Sequence, residues 1–208
     1  MAEARPKRHF SMLREFHIAD FLTLGNAACG VGAVFLAMQF IETASVMHFY
    51  LAAALAPAAF VFDVLDGRVA RARNEHSPLG RELDSLADVI SFGMAPAALG
   101  FAAGLRNSLD VAVLLYFVAC GISRLARFNV TAGSMSDDSG KVSHFEGTPI
   151  PTSVLLVGMW GWLVAIDKVG PTMWMGLWDF GPVALHPVAL IYFVSGSLMI
   201  STFRIPKI

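Results

Sequence analysis

Charge is the scarcest property of this chain. Asp, Glu, Lys and Arg make up 15% of its 208 residues, where a soluble domain carries about a quarter. The remainder is 56% hydrophobic with a mean hydropathy of +0.61, which argues against an ordinary solvated globule. A net charge of −1 gives no electrostatic footprint for nucleic acid or for an acidic partner. Cysteine is almost lacking. Cys29 and Cys120 lie far apart inside apolar runs without CxxC spacing, and read as inert buried thiols. No internal repeat and no linker divides the chain, so residues 1–208 read as one membrane domain. Within it, 1–19 forms a cytoplasmic N-terminal segment and 129–149 a cytoplasmic loop.

What the chain does have is long uncharged runs. Phe21–Phe40 and Thr43–Phe62 are each twenty residues long, Val89–Leu105 and Ile150–Ile166 seventeen, and Val111–Ser123 thirteen. Pro182–Phe203 adds twenty-two, interrupted only by His186. A membrane span needs roughly 20 apolar residues. The third run extends backwards through Leu83–Asp88 and the fourth forwards through Arg124–Phe128. The fold class expected is therefore an all-α integral membrane protein with six transmembrane helices. The basic start (Arg5, Lys7, Arg8, Arg14) precedes a run too long for a signal peptide, so that run reads as the first span. The short "TMWMGLW" at Thr172–Trp178 reads as an interfacial segment.

Threading six spans from a cytoplasmic N-terminus puts thirteen Lys and Arg inside and leaves only Arg106 and Lys168 outside. That positive-inside bias predicts cytoplasmic termini and a location in the cell (cytoplasmic) membrane. The loop after the fourth span, "TAGSMSDDSGK", is polar and reads as mobile in its middle.

The informative charges are four aspartates at the ends of these runs. In "DVLDGRVAR", Asp63, Asp66, Gly67, Ala70 and Arg71 fall at i, i+3, i+4, i+7 and i+8, one face of a helix. In "GRELDSLADVIS", Gly80, Asp84, Asp88 and Ser91 do the same. Two neighbouring antiparallel helices would bring both pairs together. Converging carboxylates at a low-dielectric boundary need cations. Arg71, Arg81, Arg124 and Arg127 could supply them as a plain salt-bridge cluster. Hard divalent ions are the other solution, Mg²⁺ or Mn²⁺, with Ca²⁺ also compatible. A pair of such ions suits phosphoryl transfer. The small residues Gly67, Ala70, Gly80 and Ala87 favour a ligand, because they leave room that an ion pair would not need. Intramembrane carboxylates also occur in cation or proton transporters. Their clustering at one face, and the lack of repeated broken-helix pairs, argue against that reading.

The pattern Asp63-x2-Asp66-Gly67-x2-Ala70-Arg71-x8-Gly80-x3-Asp84-x3-Asp88 resembles, without departure, the signature of the CDP-alcohol phosphatidyltransferase family. The resemblance implies a six-helix membrane enzyme, a homodimer, that moves a phosphatidyl group from a CDP-linked lipid to an alcohol and releases CMP. It implies metal ligation by Asp63, Asp66 and Asp84, with Asp88 as a metal neighbour and general base. Gly67 would let the nucleotide approach the backbone, Arg71 would bind diphosphate or nucleotide, and Ser77 would contact the nucleotide. "T23-L-G-N26" resembles a first-span element near the diphosphate, although helix-to-helix hydrogen bonding explains Thr23 and Asn26 equally well.

"SRLARFNV" and "FEGTPIPT" resemble the phosphatidylserine synthase branch of the family. The substrates this implies are CDP-diacylglycerol and L-serine. Arg124 and Arg127, one turn apart, could engage a carboxylate or a lipid phosphate, or could simply snorkel as positive-inside anchors. Asn129 and Glu146 could contact an amino acid. Sibling acceptors (glycerol phosphate, inositol phosphate, inositol) stay open. No His or Ser nucleophile accompanies the motif, so attack is expected to be direct.

Overall fold

A computed structural model describes residues 17–73, 77–134, 144–202 and 204–206. Arg5, Lys7, Arg8, Arg14, Lys141, Lys207 and the middle of the polar loop fall outside the described residues. Helix α1 spans Ile18–Thr43 and α2 spans Val46–Arg73. The carboxylate of Asp20 accepts the His17 backbone N–H at 2.7 Å, satisfying a donor at the start of α1. Ala44, left-handed at φ 52°, ends that helix and hydrogen-bonds back to the Phe40 carbonyl. α3 (Pro78–Asp88) opens on a Ser77 cap that accepts the Gly80 N–H at 2.8 Å, with Pro78 in the first turn.

α3 does not stop at Asp88. It continues through a π-helical segment, Val89–Met94, into α4 (Ala95–Ala103). Pro96 explains the wider turn. It has no N–H to offer Phe92, and its ring would crowd that carbonyl in a regular helix. The Ala95 N–H instead reaches five residues back to Ile90. α5 follows over Ser108–Ser134, so the loop expected from residue 129 begins later. α6 (Val154–Ala165) and α7 (Leu190–Ile200) are each entered through a 3₁₀ turn, at Ile150–Ser153 and Pro187–Ala189.

Counting Pro78–Ala103 as one, the described residues contain six helices, four of them long and apolar enough to cross a membrane. The other two, Ile150–Ala165 and Pro187–Ile200, fall in the 10–17 residue range. The sixth expected run is shortened at its start. Ala184–Leu185 (β3) pairs antiparallel with Trp178–Asp179 (β2), and the helical turn begins only at Pro187. A second strand pair, His144–Glu146 (β1) with Arg204–Pro206 (β4), ties the segment before α6 to the end of the chain. The architecture is otherwise all-α.

Small residues set the packing. Gly25 and Gly32 of α1 lie against Phe62 and Leu55 of α2, and Ala33, Ala37, Ala52, Ala56 and Ala59 of the two helices are buried, which permits close backbone approach. Large side chains such as Phe35, Met38, Met47, Leu115 and Leu155 point outward, as lipid-facing positions require. At the centre, Trp160 donates its indole N–H to the Tyr192 hydroxyl at 2.7 Å. That hydroxyl in turn donates to the Pro96 carbonyl at 2.6 Å. Away from the motif aspartates, fully buried Asp110 accepts the backbone N–H groups of Asn107 and His186 and pairs with the His186 ring at 2.8 Å. This latch joins the start of α5 to the entry of α7.

Tyr192→Phe would leave the buried Trp160 N–H without its acceptor and the Pro96 carbonyl without its side-chain donor. The expected cost is about 1–3 kcal/mol, read as a fall in melting temperature in detergent; unchanged melting would contradict this role for the hydroxyl.

Candidate active site

α2 and α3 deliver the motif aspartates to one place. Single oxygens of Asp63, Asp66 and Asp84 all lie within 4.8 Å of one another. Oxygens on one hard divalent ion, each about 2.0–2.6 Å from it, are at most about 5 Å apart. The separation therefore fits a shared ion. Asp84 Oδ1 is buried with no hydrogen-bond partner among the described residues, the condition of a ligand atom facing a cation. Asp66, 6% exposed, accepts the Thr23 hydroxyl at 2.6 Å. Three carboxylate donors on rigid helices suit Mg²⁺ or Mn²⁺ better than zinc.

Asp88 stands outside that group. It is 7% exposed and accepts the Asn26 amide N–H at 3.3 Å. Asn26 is fully buried, its Oδ1 has no partner, and its backbone carbonyl accepts the Ser91 hydroxyl at 2.8 Å. α1 can come this close because residue 30 is glycine: a Cβ there would stand 2.7 Å from the Ser91 Cα. Thr23 and Asn26 each hydrogen-bond a motif aspartate on another helix. Thr23 also lines a cavity, whereas Asn26 does not.

That cavity, about 220 Å³, lies between the start of α1, the end of α2 and the start of α3. Asp66 and Asp84 form one part of its wall, with Gly67, Ala70 and Arg71 from α2 and Ser77, Gly80 and Arg81 from α3. Arg71 folds back over Gly67, its guanidinium 3.4 Å from where a Cβ would be, so a β-carbon there would sit in van der Waals contact with the arginine. Sequence reasoning missed Asp20, which is 4% exposed and lines the same cavity. The signal was present in the helical spacing: Asp20, Thr23, Asn26, Gly30, Ala33 and Ala37 follow one another at three or four residues, and all are buried.

A second cavity, about 430 Å³, lies along α5 at the end of α7. Arg124 and Arg127 line it with Ser123, Tyr116 and Cys120. Arg124 Nε is buried without a hydrogen-bond partner among the described residues, and its charge interacts with Asp88. One arginine thus connects this cavity to the carboxylate that stands apart. Asn129 does not join them; its amide exchanges hydrogen bonds with Ser85 of α3, at 3.0 and 3.3 Å. Glu146 lies on β1 opposite Arg204, and its side chain is outside the described residues.

Known proteins resemble the chain at the level of sequence. A protein from Saccharomyces cerevisiae, named CDP-diacylglycerol–serine O-phosphatidyltransferase, is 41% identical over 205 residues, covering 97% of this chain and 74% of its own length. A Helicobacter pylori protein of the same name is 42% identical over 127 residues, 60% of this chain and 52% of its own. A Bacillus subtilis protein, again so named, is 32% identical over 137 residues, 65% of this chain and 70% of its own. The chain thus spans about three quarters of the yeast protein and about half of the Helicobacter one. The sequence model of one family matches residues 16–195, across the helices that carry every motif aspartate, and the chain belongs to that family, the CDP-alcohol phosphatidyltransferases.

Proposed function

We propose that the protein transfers the phosphatidyl group of CDP-diacylglycerol to the hydroxyl of L-serine, giving phosphatidylserine and CMP. The convergence of Asp63, Asp66 and Asp84 beside a cavity carries the reaction class. Similarity over 97% of the chain to a relative whose name specifies serine supports the acceptor. The reading includes six spans with cytoplasmic termini, a site facing the cytoplasm, and a homodimer. The distribution of Lys and Arg supports the orientation.

Asp63, Asp66 and Asp84 would hold two divalent ions, with Asp88 adjacent; when bound, these neutralise the diphosphate and the departing CMP. Arg71 supplies a planar fork for the diphosphate, and Gly67 and Ala70 keep that wall of the cavity low. Arg124 binds the serine carboxylate from the other cavity, with Arg127 beside it. The serine hydroxyl oxygen then attacks the phosphorus bearing the diacylglycerol. Its proton passes to Asp88, and the bond to the CMP oxygen breaks with the electron pair leaving on CMP. Asn26, fixed by Ser91, aims the Asp88 carboxylate. No covalent phosphatidyl-enzyme is required.

Purified protein in mixed micelles, supplied with CDP-diacylglycerol and a panel of alcohols, should release CMP with serine and lose that activity in excess EDTA. Turnover with another alcohol and none with serine would refute the acceptor; full activity without metal would refute the carboxylate assignment.

Asp88→Asn should abolish turnover, a loss of at least about 10²-fold, while CDP-lipid binding stays measurable. Asn26→Leu should lower kcat with KM for CDP-diacylglycerol little changed. A raised KM at constant kcat would make Asn26 a lipid contact instead.

Arg124→Gln should raise KM for serine about tenfold or more, the loss of one charge-assisted contact, with KM for CDP-diacylglycerol unaltered. Equal effects on both substrates would remove Arg124 from the acceptor site.

A further inference from the structure

We propose that the connector between α6 and α7 is a lipid anchor. It lies in the headgroup boundary of the leaflet opposite the aspartates and inserts Trp174, Leu177, Trp178 and Phe180 among the upper acyl chains. The connector, residues 167–186, sits at the end of the bundle away from the chemistry. Its Met173 is buried against Gly104, just past the end of the span Pro78–Ala103. Asp88 lies on that same span, about 20 Å from its end at about 1.5 Å of rise per residue. The proposal needs the membrane spans and stands apart from the reaction above.

A connector in water turns polar side chains outward. This one exposes Trp174, Met175, Leu177, Trp178 and Phe180, and of residues 173–180 only Met173 is buried. Two of the four tryptophans of the chain fall in this short stretch. Tryptophan suits the membrane boundary because its ring is apolar and its N–H can reach a wet headgroup. The backbone is also prepared for a region poor in water. Trp178–Asp179 pairs with Ala184–Leu185, the Trp174 N–H donates to the Lys168 carbonyl, and the Gly176 N–H donates to the Met173 carbonyl. The Asp179 carboxylate accepts the Gly181 N–H at 2.9 Å, closing the turn. The hairpin is held firmly at both ends. Gly104, at φ 129°, makes room for Met173, since a Cβ there would stand 2.8 Å from the methionine methyl. Asp110 of α5 holds the exit through the backbone N–H and ring of His186. Lipid is favoured over a protein partner because the flanking helices also turn large apolar side chains outward. Trp162 on α6 and Leu190 and Phe193 on α7 are exposed, as the bilayer core requires. An apolar surface fixed at the end of such spans fits the boundary between headgroups and acyl chains.

The test uses the full chain reconstituted in phosphatidylcholine–phosphatidylglycerol vesicles. Subtracting the fluorescence of Trp174→Phe/Trp178→Phe from that of the wild type isolates the hairpin tryptophans. Both rings are exposed and phenylalanine keeps them apolar, so the fold should survive the change. Trp162→Phe isolates an outward residue of α6 in the same way. Three quenchers are compared: lipid brominated near the carbonyl, lipid brominated near the chain end, and iodide in the water on both sides. The hairpin emission should lose most of its intensity to bromine near the carbonyl, less to bromine at the chain end, and little to iodide. Quenching by iodide without an effect of bromine would put the hairpin in water and overturn the proposal. Protection from all three quenchers would mean that a second copy of the chain covers it, and strongest loss to chain-end bromine would bury it in the hydrocarbon; each overturns the proposal equally. No substrate is present, so the outcome is independent of the transferase assay.

Discussion

Everything in this protein is organised around three carboxylates, one buried and two half-buried, whose oxygens come within 4.8 Å of one another. At that separation two unit charges repel by about 3 kcal/mol at an effective dielectric of about 20. A free chain would relieve this by separating them. Here they are fixed on two helices, and the third wall of the site is α1. Thr23 donates to Asp66 and Asn26 to Asp88, so two side chains of α1 give hydrogen bonds to motif carboxylates. The arrangement keeps the anions oriented while leaving the Asp84 oxygen without any protein donor. A site built to receive cations has this asymmetry; a plain ion-pair cluster would have filled that oxygen.

Close approach of α1 is what makes those hydrogen bonds reachable, and it depends on backbone geometry away from the chemistry. Gly30 lets α1 meet Ser91, which lies in the π-helical turn. That turn is imposed by Pro96, whose carbonyl is in turn claimed by Tyr192 from α7. A path of packed, hydrogen-bonded groups therefore runs from the last helix to the Asp88 carboxylate. Its members bear on orientation, not on charge, and in a site of this kind small displacements are costly because reacting atoms must meet in one geometry.

The two cavities divide the work by charge. The smaller one mixes aspartates and arginines, suiting a ligand with an anionic diphosphate at one end and hydrogen-bond donors at the other. The larger one is lined by arginines and weakly polar or apolar groups, suiting a small anion at its head. Arg124, which lines the larger cavity, lies close enough to Asp88 for their charges to interact. In the proposed reaction that is where a hydroxyl from one side must meet a phosphorus from the other.

The membrane character, the approximate position of each helix and the four aspartates could be read from residue order alone. Runs of apolar residues and three- or four-residue spacing are local properties, and a helix preserves them wherever it packs. The motif likewise points to a metal site through its residue types and their spacing. Other features were decided only in three dimensions. The last apolar run lost its start to a hairpin, because strand pairing depends on a partner segment. Asn26 turned toward Asp88 and Asn129 toward Ser85, since an amide bonds to whichever partner another helix brings within reach. Asp20 looked like one more charge at a helix start. It became part of a cavity wall because the first turn of α3 passes beside it with a glycine, Gly80. Sequence determines which faces each helix carries. Which faces meet, and therefore which polar atoms are left waiting for a ligand, depends on the contacts between helices distant in the chain.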